Sequence, residues 1–306
     1  MKTMLFALAL AALVLCAARS RAEDWRVLSD VNLTLTQNAY SDNWAGGESG
    51  SMSWTLNSNT IAEKQILKGV FNKNTLKLSY GLTYNQDTET NTWDSGNKST
   101  DLIDLESTFR WTLGTFVEPI IAFRGITQFV DQSEDAIDDA LLPANASKKD
   151  RLFNPLDLTE SVGVARVFVK EETREWQARL GVAAKQIVNR DALDLSSGNR
   201  ETLTQYDGGF EFVNDLRWPL ADDKILWTSK LTVFEGVFSS ISDEVEGTEQ
   251  ENYWKYPDVN FENIFTSDIT KYISVNLYVQ LLYDRQIDRD ARLKQTLALG
   301  FTYKLL

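Results

Sequence analysis

Apolar and polar residues alternate along most of this chain, and this alternation constrains its fold more than any other feature. In the segment TLKLSYGLTY, residues 75–84, Leu76, Leu78 and Tyr80 share one face of an extended chain, and Lys77 lies on the other face. Because successive side chains of a β-strand point to opposite faces, a period of two predicts strands. Helical periodicity is hard to find, so the sequence predicts an all-β protein.

Twelve segments carry this pattern. Their lengths suit tilted strands that cross a bilayer, for which about 9–11 residues is typical. We expect strands at residues 31–37, 51–60, 75–84, 102–112, 119–129, 157–169, 175–187, 202–214, 224–235, 253–266, 271–283 and 292–305.

The connections between these segments sort by length. Long polar connections follow the odd-numbered strands, and short connections follow the even-numbered strands. Connection 61–74 is the exception, and there the sequence NKN at 72–74 is expected to form the turn. Outer-membrane barrels combine an even number of antiparallel strands with short periplasmic turns and long external loops. We therefore predict a single antiparallel up-and-down transmembrane β-barrel of about 12 strands.

A barrel in lipid turns its apolar face outward and its polar face towards the lumen, because only a closed sheet satisfies every backbone hydrogen bond there. The aromatic residues near the predicted strand ends are typical of interfacial girdles. The predicted inward-facing charges are of both signs, so a pore lined by them would select weakly by charge. These candidate lumen residues are Asp104, Glu106, Arg110, Arg124, Arg179, Lys185, Asp207, Glu211, Lys230, Glu262 and Lys294.

The first 22 residues have the features of a secretory signal peptide. Lys2 precedes the apolar run MLFALALAALVLCAA, and SRA at 20–22 offers small residues for cleavage before Glu23. We expect residues 1–22 to be removed and residues 23–306 to form one barrel domain in the outer membrane of a bacterial cell. Its partners would then be outer-membrane lipid, lipopolysaccharide and the barrel-assembly machinery.

Charge and composition exclude several functions. Loss of residues 1–22 leaves 28 basic against 44 acidic residues, whereas nucleic-acid binding needs a basic surface. The chain has no histidine, the usual general base or proton relay of barrel enzymes. Asp104 and Glu106 could serve as the carboxylate pair of a glycosidase. Arg110 and Arg124 share their predicted face, however, which favours ion pairs. We expect no enzymatic activity, no cofactor and no metal site.

A glycine-rich segment, NWAGGES at 43–49, follows the first predicted strand. Gly46 and Gly47 can adopt positive φ without steric strain, as a loop requires. A dinucleotide-binding glycine motif would need a helix to follow, whereas the chain continues as an alternating strand. We therefore expect Trp44, Gly46, Gly47 and Glu48 to form a loop motif at the rim of the barrel.

The chain resembles a family of secreted β-barrel proteins, domain-of-unknown-function family 3078. The resemblance covers about the first two thirds of the mature chain and implies an outer-membrane location without an established activity. The chain end departs from the usual barrel signal, because Leu305 and Leu306 replace a terminal aromatic residue. The motifs that carry the resemblance are NWAGGES at 43–49, LSYGLTYN at 78–85, NKSTDLIDLESTF at 97–109, FRGITQF at 123–129 and FNPLDLTESVGVAR at 153–166.

The leading functional hypothesis from the sequence is a passive channel, or a ligand-conducting barrel, for small hydrophilic solutes. The alternative is a surface-presented structural or interaction protein whose barrel is an anchor. The acidic stretches at 131–150 and 240–252 motivate this alternative, because such loops could contact divalent cations, lipopolysaccharide or partner proteins. A soluble secreted β-protein is a third possibility.

Overall fold

In a computed structural model, the chain forms a closed barrel of twelve antiparallel strands. The predicted fold class and strand number are confirmed. The structure describes residues 25–40, 49–87 and 89–304, with side chains described to residue 301. The predicted signal peptide, the loop motif Trp44, Gly46, Gly47 and Glu48, and the terminal leucines Leu305 and Leu306 all lie outside the described residues. Within the described part of the chain, no helix has the length and hydrophobicity needed to span a membrane.

Each barrel strand is paired with two neighbours, and β1 closes the barrel against the last strand. A separate two-residue ribbon, β6 (Val130–Asp131) with β7 (Arg151–Leu152), lies between the fifth and sixth barrel strands. The barrel strands are β1 (Arg26–Asn38), β2 (Ser51–Leu67), β3 (Val70–Asn85), β4 (Asn97–Trp111), β5 (Glu118–Thr127), β8 (Leu156–Lys170), β9 (Glu175–Leu193), β10 (Arg200–Leu220), β11 (Ile225–Ser239), β12 (Asp258–Asp268), β13 (Ile273–Tyr283) and β14 (Arg292–Lys304).

All twelve predicted segments overlap barrel strands, but two predictions about their limits are wrong. The turn between β2 and β3 falls at residues 68–69, where Gly69 has a φ of +82°. The sequence NKN at 72–74 lies inside β3 instead, because only the glycine accepts this left-handed backbone without strain. Residues 253–255 form a 3-10 helix, so β12 begins at Asp258.

The two ends of the barrel differ in their connections. Short turns at one end, the short-turn end, join consecutive strands at 68–69, 112–117, 171–174, 221–224 and 269–272. The opposite, long-connection end carries the connections that follow β1, β3, β5, β9, β11 and β13, of which the structure describes residues 39–40, 49–50, 86–87, 89–96, 128–155, 194–199, 240–257 and 284–291. The connection predicted at 188–201 is shorter than expected, because β9 and β10 extend into it as a projecting hairpin. Otherwise the predicted sorting by length holds.

The outer face of the barrel is apolar. Leu105 on β4 is 50% exposed, whereas its neighbour Asp104 is 5% exposed and points inward. On β9, Leu180 and Val182 are likewise exposed, and they alternate with inward residues. This pattern is opposite to that of a soluble sandwich, whose leucines meet in its core, and it is the pattern that lipid requires.

Two tryptophans close to the short-turn end have hydrogen-bonded indoles. Trp176 donates from Nε1 to Asn214 over 2.9 Å, and Trp227 donates to Asn263 over 3.0 Å. Phe168 stacks on Trp176 with ring centroids 4.3 Å apart. An apolar ring with a satisfied polar N–H is suited to the boundary between hydrocarbon and water.

Candidate functional site in the barrel lumen

The inward faces of the strands place charged side chains of both signs inside the barrel. Of the eleven predicted lumen residues, Asp104, Glu106, Asp207 and Glu211 are buried. Lys294 lies on the inward side of β14 near the long connections but is exposed. The side chains of the other six are largely shielded: Arg110, Arg124, Arg179, Lys185, Lys230 and Glu262.

Nine of the inward charges are connected by ion pairs and cross-strand register, and we term this set the central charge layer: Lys77, Asp104, Glu106, Arg124, Arg179, Glu211, Asp215, Lys230 and Glu262. Glu106 is its hub, because it forms ion pairs with both Arg179 and Lys230. Arg124 binds Asp104 with two parallel hydrogen bonds of 3.0 and 2.9 Å. Such a bidentate pair fixes the geometry of both side chains.

Two contacts of the central charge layer cross the lumen. Lys77 on β3 lies 2.9 Å from Glu262 on β12. Four strands separate β3 from β12 on one side of the barrel and six on the other, so the two side chains come from nearly opposite walls. Lys230 on β11 and Glu106 on β4 are related in the same way. The two walls are therefore in contact at this level.

Small inward-facing residues make room for the long side chains of the layer. Gly163 on β8 lies directly opposite Gly181 on β9. Ala165 and Ala183 follow on the same two strands and are buried. A Cβ atom on Gly163 would lie 2.2 Å from the carbonyl oxygen of Leu180. The inward side chains of β8 and β9 are thus small here, and they leave room in the lumen for the long side chain of Arg179.

A second set of ion pairs lies nearer the short-turn end. Lys73 on β3 binds Glu175 on β9 over 2.9 Å, and Lys170 on β8 binds Glu63 on β2 over 3.2 Å. Arg26 also binds Glu63, over 2.8 Å. The pairs Lys73–Glu175 and Lys170–Glu63 join strands that are not neighbours, so the lumen is bridged at this level too, whereas Arg26 and Glu63 lie opposite each other on the neighbouring strands β1 and β2.

A small cavity of about 30 Å³ lies beside these bridges, large enough for about two water molecules. Its wall is partly aromatic and partly charged: Phe71, Lys73, Thr108, Arg110, Ile120, Ala165, Gln177, Ala178, Arg179 and Asp215. Arg110 lies over the ring of Phe71, with its guanidinium carbon 5.2 Å from the ring centroid, and pairs with Glu118 over 3.4 Å. The cavity is therefore large enough for water but not for a larger solute.

Towards the long connections, the lumen is polar and more acidic. Lys185 binds Asp258 over 3.0 Å. Asp207 accepts a hydrogen bond of 2.6 Å from Ser239, and Gln205 donates to Gln286 over 2.9 Å. No group of three or more His, Cys, Asp or Glu side chains in the described chain is placed to hold a metal ion.

Above this mouth, residues 128–155 pack against the projecting hairpin at 189–200, and we call this unit the loop cap. Arg151 pairs with Asp131 over 2.5 Å, and Arg200 donates two hydrogen bonds of 2.9 Å to Glu134. Asn154 is fully buried and donates to Asp131 over 2.9 Å. The acidic stretch 131–150 is therefore folded in part around basic partners.

Two buried carboxyl groups of the loop cap, Asp131 and Glu134, have lowered pKa values. The hydrogen bonds from Arg200 lower the pKa of Glu134. Burial alone would raise the pKa of Asp131, but hydrogen bonds from Asn154 and Ser133 and the charge of Arg151 outweigh it and lower this pKa.

The second acidic stretch, 240–252, is mostly exposed and meets cations from the next long connection. Arg289 binds Glu249 over 2.5 Å. The guanidinium of Arg285 lies between two rings, 5.0 Å from Tyr253 and 4.1 Å from Tyr256. Residues 284–291 thus supply Glu249 with a basic partner that its own stretch lacks in sequence.

Several charged residues of the lumen are absent from the sequence-based selection: Glu63, Lys73, Lys77, Glu118, Lys170, Glu175, Asp215 and Asp258. Alternation alone already placed Lys77 opposite Leu76 and Leu78. Glu63 and Lys73 fell inside the connection predicted at 61–74, and this error concealed them. The predicted pairing of Arg124 with the carboxylates of β4 is present, whereas Arg110 pairs with Glu118 instead.

The comparison with known protein families found a match over the first part of the barrel. The family described as "Protein of unknown function (DUF3078)" matches residues 35–132. This confirms the resemblance over those residues, and the motif at 153–166 lies beyond the matched part. A search of curated proteins found no match.

Solved outer-membrane barrels are similar to the chain over most of its length. The translocator domain of the autotransporter NalP from Neisseria meningitidis is 9% identical, with 95% of this chain and 92% of that chain covered and a TM-score of 0.38. An outer membrane channel from Pseudomonas putida F1 is 13% identical, with 92% and 94% covered and a TM-score of 0.41.

Proposed function

We propose that the protein is an outer-membrane β-barrel that conducts small hydrophilic solutes passively. The observation that carries this proposal is the lumen, whose inward faces hold charges of both signs while the outward faces are apolar. An eight-stranded barrel is just wide enough for side chains to fill, and twelve strands enclose a wider interior. The mixed signs support weak selectivity by charge.

Single-channel recording in planar bilayers tests this function. Purified protein is first shown to be folded by its resistance to SDS until heated. We expect small current steps with little preference between cations and anions, because the lining has no dominant sign. Folded protein that gives no current steps at any voltage, in the native sequence and in lumen variants alike, would overturn the proposal.

The membrane location is tested separately. We expect the full chain to lose residues 1–22 on export and to fractionate with detergent-extracted outer membrane. Recovery of folded protein in the soluble periplasmic or extracellular fraction would contradict this location. The barrel-assembly machinery, outer-membrane lipid and lipopolysaccharide are the partners that this proposal requires.

A second candidate function is surface presentation, with the barrel as anchor. The loop cap supports it, since a folded unit held by buried ion pairs is more than a connection requires. Exposed carboxylates of 240–252 could bind lipopolysaccharide through divalent cations. Deletion of residues 131–150 separates the two functions. Unchanged conductance with loss of calcium-dependent binding to lipopolysaccharide vesicles favours presentation, and altered conductance favours a channel.

A further inference from the structure

We propose that the central charge layer is a gate that opens by exchange of ion-pair partners. The inference rests on the proposed channel function and names the residues that would control it. Its basis is that residues paired across the lumen also face oppositely charged residues on their own wall.

In the observed arrangement, the cross-lumen contacts hold the two walls together. Glu106 and Lys77 come from one wall, formed by β3, β4 and β5. Arg179, Lys230 and Glu262 come from the other, formed by β9 to β12. Lys77 binds Glu262, and Glu106 binds both Arg179 and Lys230. We take this arrangement, in which the two walls are joined, as the closed state of the gate.

On the first wall, every charge has an opposite charge as its direct cross-strand neighbour. Lys77 on β3 is in register with Asp104 on β4. Glu106 on β4 is in register with Arg124 on β5. Directly opposite residues of an antiparallel pair have Cβ atoms about 4.5–5.5 Å apart, within reach of an ion pair. This wall can therefore neutralise its own charges.

The second wall has the same property. Lys230 on β11 is in register with Asp215 on β10 and Glu262 on β12. Its Nζ already lies 4.0 Å from Asp215, and Nε of Arg179 lies 3.8 Å from Glu211. The partners for an open arrangement are thus in place, and small side-chain rotations would reach them.

Exchange matters because an unpaired charge in a shielded site is costly, whereas exchanging one partner for another is not. Each of the crossing charges keeps an opposite charge in either arrangement. Two packings of similar free energy are what a bistable element requires. The gate would therefore open by rearranging side chains, without unfolding any strand.

The test compares three single substitutions in planar bilayers. Glu106→Gln removes the negative charge that holds both Arg179 and Lys230, and Lys77→Gln removes the positive charge of the other crossing pair. Glu235→Gln is the matched control, since Glu235 lies on β11 facing outward and is exposed. We expect the open-to-closed ratio of Glu106→Gln to rise about tenfold, equivalent to about 1.4 kcal/mol. Lys77→Gln should shift the ratio in the same direction, and Glu235→Gln should match the native protein.

Each outcome is decisive once folding has been checked by heat-dependent mobility in SDS. If the native protein conducts and both lumen variants have its open-to-closed ratio, the proposed gate is refuted while the proposed channel function is retained. An equal rise in Glu235→Gln also refutes the gate. If the native protein and all variants are folded and silent, the channel itself is refuted. If Glu106→Gln does not fold, Lys77→Gln decides alone.

Discussion

Lys77 and Glu262 form an ion pair of 2.9 Å although 185 residues separate them in the chain. Each is presented by a strand whose alternation was visible in the sequence. Their meeting depends on the closure of the barrel, which brings β3 and β12 to opposite sides of one narrow lumen. The pair is therefore a direct reporter of the folded barrel.

Charge reversal should show that the two side chains interact. Lys77→Glu places a third carboxylate beside Glu262 and Asp104, and we expect it to lower the urea midpoint of unfolding clearly, because like charges repel in a shielded site. The double variant Lys77→Glu with Glu262→Lys should recover part of the loss. Equal midpoints for the single and double variants would contradict a direct pairing.

Gly163 should tolerate no side chain. Its Cβ would lie 2.2 Å from the carbonyl oxygen of Leu180, so Gly163→Ala must push β8 and β9 apart. We expect a loss of about 1–3 kcal/mol in the free energy of unfolding. Gly208→Ala is the control, since its nearest neighbour would be 3.7 Å away in the ring of Phe238. Equal unfolding midpoints for the two alanine variants would refute the close approach.

Trp227→Phe should destabilise the barrel by about 1 kcal/mol, the usual net value of one hydrogen bond. The substitution keeps an aromatic ring but leaves Oδ1 of Asn263, which accepts from the indole, without this donor. The comparison is Trp93→Phe, in the connection 86–96, where the side chain is 48% exposed. Urea unfolding in lipid vesicles gives the free energy of unfolding of both variants. An equal loss in Trp227→Phe and Trp93→Phe would count against a role for the hydrogen bond.

The loop cap should loosen in acid. The pKa values of Glu134 and Asp131 are lowered in the folded protein, from ordinary values of 4.5 and 3.8. Their contribution to stability is therefore complete above the ordinary values and is lost as pH falls through the lowered ones. A spin label on Ala144→Cys should gain mobility as pH falls from about 6 to about 3.

A variant of the cap provides the control for this pH dependence. Arg200→Gln removes both hydrogen bonds to Glu134, so the label should already be mobile at neutral pH. The single cysteine of the sequence, Cys16, lies in the predicted signal peptide and would not compete for the label in the mature chain. If the label on the otherwise native protein has the same mobility at about pH 6 and about pH 3, Glu134 and Asp131 do not hold the loop cap together through their charged forms.

Local pattern was enough to predict the strands and much less informative about their partners. Leu76, Lys77 and Leu78 showed which side of β3 is polar, because alternation is a property of each strand by itself. The turn at 68–69 was misplaced, since the sequence offers both Gly69 and NKN as turn formers. The 3-10 helix at 253–255 was predicted to be strand because Tyr253, Trp254 and the following Tyr256 are residue types enriched in strands.

The loop cap also shows that local sequence pattern does not identify the partners of a side chain. The acidic composition of 131–150 suggested contacts with divalent cations, lipopolysaccharide or partner proteins, yet Glu134 and Asp131 are buried and paired with Arg200 and Arg151 of the same chain. Arg200 belongs to a hairpin two barrel strands further on, so no local pattern could indicate the pairing.

The sequence alone determined that this chain is a barrel of twelve antiparallel strands, which side of each strand is polar, and which end carries the long connections. These features follow from interactions between near neighbours and from the solvent that each face meets. Only the tertiary structure decided that the lumen is bridged, and by which pairs. The positions of Lys77, Glu106, Arg179, Lys230 and Glu262 relative to one another are set by the stagger of twelve strands around a closed ring, which no single strand encodes.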